Sequence, residues 1–124
     1  RIGDQATDIA EIAQFIQGRH EQTNETLHTM ATAAISMVKE AVRSFVERDQ
    51  ALARKVIGDD DVVDQLFVVT KTRLIDFIAK DSTQGEYYLD LLMIAKYLER
   101  IADHATNIAE WVSYIIEGAV FKNN

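Results

Sequence analysis

From Tyr87 to Ile115 the apolar residues Tyr87, Leu91, Ile94, Leu98, Ile101, Ala105, Ile108, Val112 and Ile115 advance by four and three without a break. That spacing puts one stripe along a helix that packs as helices do in coiled coils. At 1.5 Å per residue such a rod is roughly 50 Å long, and a chain built around it has little choice but to pack other rods alongside. Ser82 or Asp81 is placed to cap its start, and Gly118 to end it by taking the left-handed conformation. Leu27, Ala31, Ala34, Val38, Ala41 and Phe45 form a second stripe, and Leu52, Val56, Val63, Leu66 and Phe77 a third, with Asp49 positioned as an N-cap. The connections, Gly18 to Gln22 and Lys80 to Gly85, are short and polar, so successive helices should pack antiparallel. There is no proline among the 124 residues, which agrees with long uninterrupted helices.

The end of the long stripe repeats the beginning of the chain. RIGDQATDIAE at Arg1 to Glu11 and RIADHATNIAE at Arg100 to Glu110 are identical at eight of eleven positions. Repeats mark supersecondary units that lean on one another. The first copy carries its own stripe at Ile2, Ala6, Ile9, Ala13 and Ile16, with Gly18 as its stop. Because the second copy follows a long periodic lead-in, the comparison predicts that Arg1 lies mid-helix and that the natural protein continues N-terminally. The expected fold is therefore all-α: an antiparallel bundle of long helices, about four in total. Residues 1–18 would be the last helix of a preceding repeat, 19–118 a three-helix repeat, and 119–124 a tail.

Charge and composition narrow the function. The net charge of −7 repels phosphate backbones and anionic lipid, so nucleic acid and membrane surfaces are poor partners, and no apolar run approaches a transmembrane span. Cations and basic protein surfaces suit it better. With no cysteine, disulfides, thiolate metal sites and a cysteine nucleophile fall away together. A reducing cytoplasm is compatible with this.

The third stripe has an irregularity at Gly58, Asp59, Asp60 and Asp61, all poor helix formers, which predicts an interruption; Asp59 falls where the stripe calls for an apolar residue. An EF-hand is excluded, since the sixth position from Asp59 is Asp64 rather than glycine and the twelfth is Thr70 rather than glutamate. What remains is an i, i+4 pair, Asp60 and Asp64, on one helix face. Glu99 and Asp103 make a matching pair, with Glu110 further along. They lie about 160° to 200° around from Ile101, on the expected outer side of the helix. Two such rungs facing each other form an oxygen-rich pocket suited to iron, manganese, magnesium or zinc. Surface carboxylates are more often simply hydrated. The repulsion of like charges at i, i+4, which a cation would relieve, is the one physical pull the other way.

The phrase LLMIAKYLERIADHATNIAEWVSYIIEG, from Leu91 to Gly118, resembles the signature of the PhoU family of accessory proteins in bacterial high-affinity phosphate transport. Asp60 with Val63, Asp64 and Leu66 resembles that family's other acidic motif. The resemblance covers about Thr23 to Gly118 plus the tail of a preceding repeat. It implies two packed three-helix repeats whose Glu/Asp-x-x-x-Asp motifs on neighbouring helices hold metal ions or small clusters. Glu99, Asp103, Asp60 and Asp64 would be the ligands of one site. Asp4, which matches Asp103, would belong to a second site whose glutamate lies before Arg1. Gly3 against Ala102 and Asp8 against Asn107 are the departures between the two copies. The resemblance further implies a cytoplasmic, non-catalytic regulator that contacts the ATPase of the phosphate transporter and a membrane sensor kinase; a homodimer is the expected assembly.

Three other features bear on metal binding or catalysis. Glu25 and His28 have the Glu-x-x-His spacing of di-iron bundles, but those need the pair on two helices and only one is present. His104, beside Asp103, suits packing or the surface at least as well as metal ligation, and His20 sits in a connection. No glycine-rich phosphate loop or nucleophile with a base and an orienting group occurs. The alternatives left open are a cytoplasmic PhoU-like domain of a phosphate cotransporter and a carboxylate-bridged metal enzyme.

Overall fold

The computed structural model describes residues 21–123. Three long helices, α1 (Glu21–Glu47), α2 (Gln50–Lys80) and α3 (Gly85–Asn123), pack as a bundle, with a single 3₁₀ turn at Ser82–Gln84 leading into α3. The expected fourth helix, at Arg1 to Gln17, lies outside the described residues. No described helix is long and apolar enough to cross a membrane.

Two residues join α1 to α2. Arg48 enters the left-handed region at φ 53°, and the Asp49 N–H donates to the Ser44 carbonyl at 3.0 Å, the six-to-one bond that closes a helix C-terminus. Asp49 then opens the next helix, its carboxylate accepting from the Leu52 N–H at 3.0 Å. One residue finishes α1 and its neighbour starts α2, so the two rods form a tight antiparallel hairpin. At the other end, the Asp81 N–H donates to the Phe77 carbonyl at 2.9 Å. The Asp81 side chain accepts from the Thr83 N–H at 3.1 Å. Of the two candidate caps, Asp81 is the N-cap of the 3₁₀ turn that leads into α3.

The seam of α3 is rotated from the stripe expected of it. Tyr88, Leu91, Ala95, Leu98, Ile101, Ala102, Ala105, Ala109 and Val112 are buried, whereas Ile94 and Ile108 are only half-buried and Ile115 is exposed. Because α3 packs against both α1 and α2, its buried face is wide enough to take in Ile101 along with Ala95, Ala102 and Ala109, and Ile94 and Ile108 lie at its edges. On α1, Met30 and Met37 are fully buried beside the expected Leu27, Ala31, Ala34 and Ala41. Their flexible thioethers fill space between small neighbours. Phe45, expected in the core, is 52% exposed.

The helix α2 does not break at Gly58 to Asp61; it runs unbroken from Gln50 to Lys80. Lys55 supports this stretch, its Nζ lying 2.9 Å from Asp59 Oδ2 one turn on and 3.0 Å from Glu40 Oε1 of α1. The buried residues Ala53, Val56, Val63, Thr70 and Leu74 run in steps of three and four, and between Val56 and Val63 that spacing brackets both Asp59 and Asp60. Asp59 turns to Lys55, and it is Asp60 whose Oδ1 is buried. Thr70 is wholly buried, with its hydroxyl 3.8 Å from Met30 Sδ. Gly118 does not end α3 either, since the helix continues to Asn123; as an αR residue it costs about 1 kcal/mol relative to alanine, too little to stop a long helix.

Candidate metal centre

The register of α2 decides the site. Since Asp60 occupies a seam position, its carboxylate is carried toward α3 and not into bulk water, and Asp64 follows one turn later on the same face. The rotation of the α3 seam has the same effect from the other side. Measured from buried Ala102, Glu99 and Asp103 lie about 60° and 100° away, beside the packed edge. Ile101 is buried together with Ala102, so the packed face of α3 is broad: Asp103 is exposed, as an outward-facing position should be, whereas Glu99 is half-buried at the packed edge.

One carboxylate oxygen from each of Asp60, Asp64 and Asp103 lies within 4.8 Å of the others. Oδ1 of Asp60 is fully buried and has no hydrogen-bond partner, although a buried acceptor left unpaired is costly. Beside it, the Thr106 hydroxyl donates to the Ala102 carbonyl at 3.0 Å. Glu99 belongs to the same patch electrostatically, but its Oε1 is engaged at 3.1 Å by Lys96 Nζ.

Crowding of like charge shows in the acidities. Burial, then the charges of Asp64 and Asp103, push the Asp60 carboxyl above its usual range, against a smaller downward pull from the Thr106 hydroxyl. Asp64 is raised by burial and then by Glu99 and Asp103. Asp103 is raised by burial and then by Glu99, with Lys96 and His104 pulling it down. Each carboxylate resists ionising beside the others, as expected when anions share a partly desolvated space. A cation placed among them would remove that penalty, and an all-oxygen donor set suits a hard or borderline one.

The remaining candidates do not join this group. His104 is half-buried next to Asp103, and its imidazole is not among the converging ligand atoms. Glu110 is exposed two turns further along α3, and Glu25 and His28 are exposed near the start of α1. Asp4 and His20 lie outside the described residues. Sequence reasoning missed Lys96 and Thr106; their spacing of three from Glu99 and from Asp103 on the same helix was the available signal. An open groove of about 410 Å³, lined by Phe45, Val46, Arg48, Val112, Ile115 and Ile116, lies at the α1–α2 turn. It is twelve residues, or roughly 18 Å of helix, from Asp60, too far to serve as a substrate cavity for the carboxylates.

Long antiparallel helices with acidic rungs meeting across two of them define a class of all-α bundle domains with a carboxylate cluster on the seam. Comparison with known proteins narrows this. The PhoU domain model matches residues 27–112, which takes in every member of the cluster, and the chain belongs to the PhoU family. It is 35% identical over 122 residues to a phosphate-specific transport system accessory protein PhoU homolog of a Burkholderia species, covering 95% of this chain and 52% of that protein. Similar matches are a PhoU homolog of Clostridium acetobutylicum, 33% identical with 95% and 54% covered, and PhoU homolog 1 of Thermotoga maritima, 34% identical with 98% and 53% covered. The chain spans about half the length of these relatives. Each of them is named as an accessory protein of a phosphate-specific transport system.

Proposed function

We propose that this chain is part of a non-catalytic regulator of phosphate transport and phosphate-starvation signalling, and that it binds a metal ion through Asp60, Asp64 and Asp103, with Glu99 as a further ligand. The observation that carries the metal reading is that one carboxylate oxygen from each of Asp60, Asp64 and Asp103 lies within 4.8 Å of the others, with Asp60 Oδ1 buried and without a hydrogen-bond partner. Oxygen donors favour manganese, magnesium or iron, with zinc accommodated as well. Asp4 would contribute in the same way to a second site.

The regulatory role rests on the names borne by its relatives. In that role the protein works in the cytoplasm, as a homodimer, against the ATPase of the phosphate transporter and a sensor kinase. Long helices with a net negative charge offer extended faces for basic surfaces on such partners. A metal would neutralise the rungs and fix the spacing of α2 and α3, which gives those faces a defined shape. Elemental analysis of protein purified without chelator tests the proposal. Wild type should retain metal, and the combined Asp60→Asn, Asp64→Asn and Asp103→Asn variant should lose it while staying helical. Equal metal content in both would rule out these ligands.

A further inference from the structure

Lys96 is seated at the rim of the carboxylate cluster by two separate contacts. Its Nζ lies 3.1 Å from Glu99 Oε1 and 5.2 Å from the centroid of the Phe67 ring. Phe67 belongs to α2 and Glu99 to α3, so the ammonium spans the same two helices that supply the acids. The ring face favours a cation. Lys96 is 59% exposed and Glu99 only 18%, so the lysine approaches from water and meets a carboxylate held against the protein. The three oxygens that converge come from Asp60, Asp64 and Asp103, and Glu99, the remaining acid of the two rungs, is the one the lysine holds.

We infer that Lys96 is a tethered counter-ion that competes with the bound cation for Glu99 and thereby sets the cation affinity of the site. This inference rests on the cation-site reading above and adds its regulation. While the lysine engages Glu99, an incoming cation meets three carboxylates and a nearby positive charge. When the lysine swings into solvent, a fourth carboxylate is released and the repulsion is gone. Lys96 acts through Glu99 and is a positioning residue, not a ligand. A basic residue placed on the same face of α3 by a spacing of three would thus keep the empty cluster partly neutralised and make loading responsive to cation concentration.

The test is binding of Mn²⁺ alone to the full chain, followed by titration calorimetry. Lys96→Met should bind roughly tenfold more tightly than wild type, the sum of a lost like charge and a freed carboxylate. Lys96→Arg, which keeps charge and reach, should restore affinity to within about threefold of wild type. Phe67→Leu removes the ring seat and keeps the lysine, and should fall between the two. Lys55→Met makes the same change of net charge at a lysine paired with Asp59 and Glu40, and should leave affinity within about threefold. Equal or weaker Mn²⁺ binding by Lys96→Met would overturn the inference and leave the cation site standing, as would an equal gain from Lys55→Met. Failure of both wild type and Lys96→Met to bind millimolar Mn²⁺ would overturn the cation reading itself, and this inference with it.

Discussion

Phe45 of α1 and Trp111 of α3 stack with ring centroids 5.8 Å apart and planes 20° apart, although each leaves more than half of its surface in water. Stacked aromatic pairs contribute about 0.5–1.5 kcal/mol beyond burial, so Phe45→Ala should destabilise the bundle by about 1 kcal/mol. Trp111 is the sole tryptophan, which gives a direct reporter. Its emission should shift to the red and its quenching by acrylamide should rise in Phe45→Ala. Unchanged emission would show that the stack is absent in solution.

The raised acidities of Asp60, Asp64 and Asp103 have a defined sign in stability. A carboxyl that holds its proton more tightly when folded makes the folded state the better proton acceptor, so stability from these groups is lost as pH rises. The loss begins near the ordinary carboxylate value of about 4 and is complete above the raised folded values. Without metal, wild type should therefore be less stable than the triple Asp→Asn variant at pH 7. The gap should narrow as pH falls toward about 4.5. Thermal melts in chelator across that range measure it; a gap that widens on acidification contradicts the assigned direction.

The α1–α2 turn makes a paired prediction. Asp49→Ala removes the cap on the Leu52 N–H and should cost about 1 kcal/mol. Arg48→Gly should be neutral or stabilising by up to about 1 kcal/mol, because the left-handed backbone disfavours a side chain. Arg48→Val should destabilise, because a β-branched residue fits that backbone worst. Urea unfolding followed by helical circular dichroism ranks the three.

Ala102 is fully buried between Glu99 and Asp103 in sequence. Ala102→Leu should cost about 1–3 kcal/mol by overpacking, and by spreading the seam it should weaken Mn²⁺ binding more than it lowers helicity. Titration calorimetry beside circular dichroism separates those effects. A variant that keeps wild-type affinity would mean that the rungs do not depend on this close approach.

Much of the fold was legible because helical periodicity is a property of the chain itself. The three stripes located three helices, and Asp49 and Asp81 capped where short acidic side chains should. What the stripes misplaced was the centre of packing. Counting large apolar residues selects Ile94, Ile108 and Phe45, whereas a rod wedged between two others also buries the small side chains Ala95, Ala102 and Ala109. The i, i+4 spacing marks out the carboxylate pairs in the sequence, but the coming together of one oxygen each from Asp60, Asp64 and Asp103 is visible only with α2 and α3 set side by side. The glycine and aspartates at Gly58 to Asp61 misled in a related way, since local propensity predicted a break that tertiary packing and the Lys55 ion pairs override. Lys96 escaped notice because an exposed lysine acquires meaning only from the ring and the acid it spans.

The two-residue turn at Arg48 and Asp49 has a mechanical corollary. With no slack between them, α1 and α2 behave as a fixed fork, while α3 hangs from a longer joint built around Asp81. The acidic rungs of α2 and α3 lie far along both rods from that joint, so their spacing is set by the side-by-side packing of the two helices and not by the connection between them.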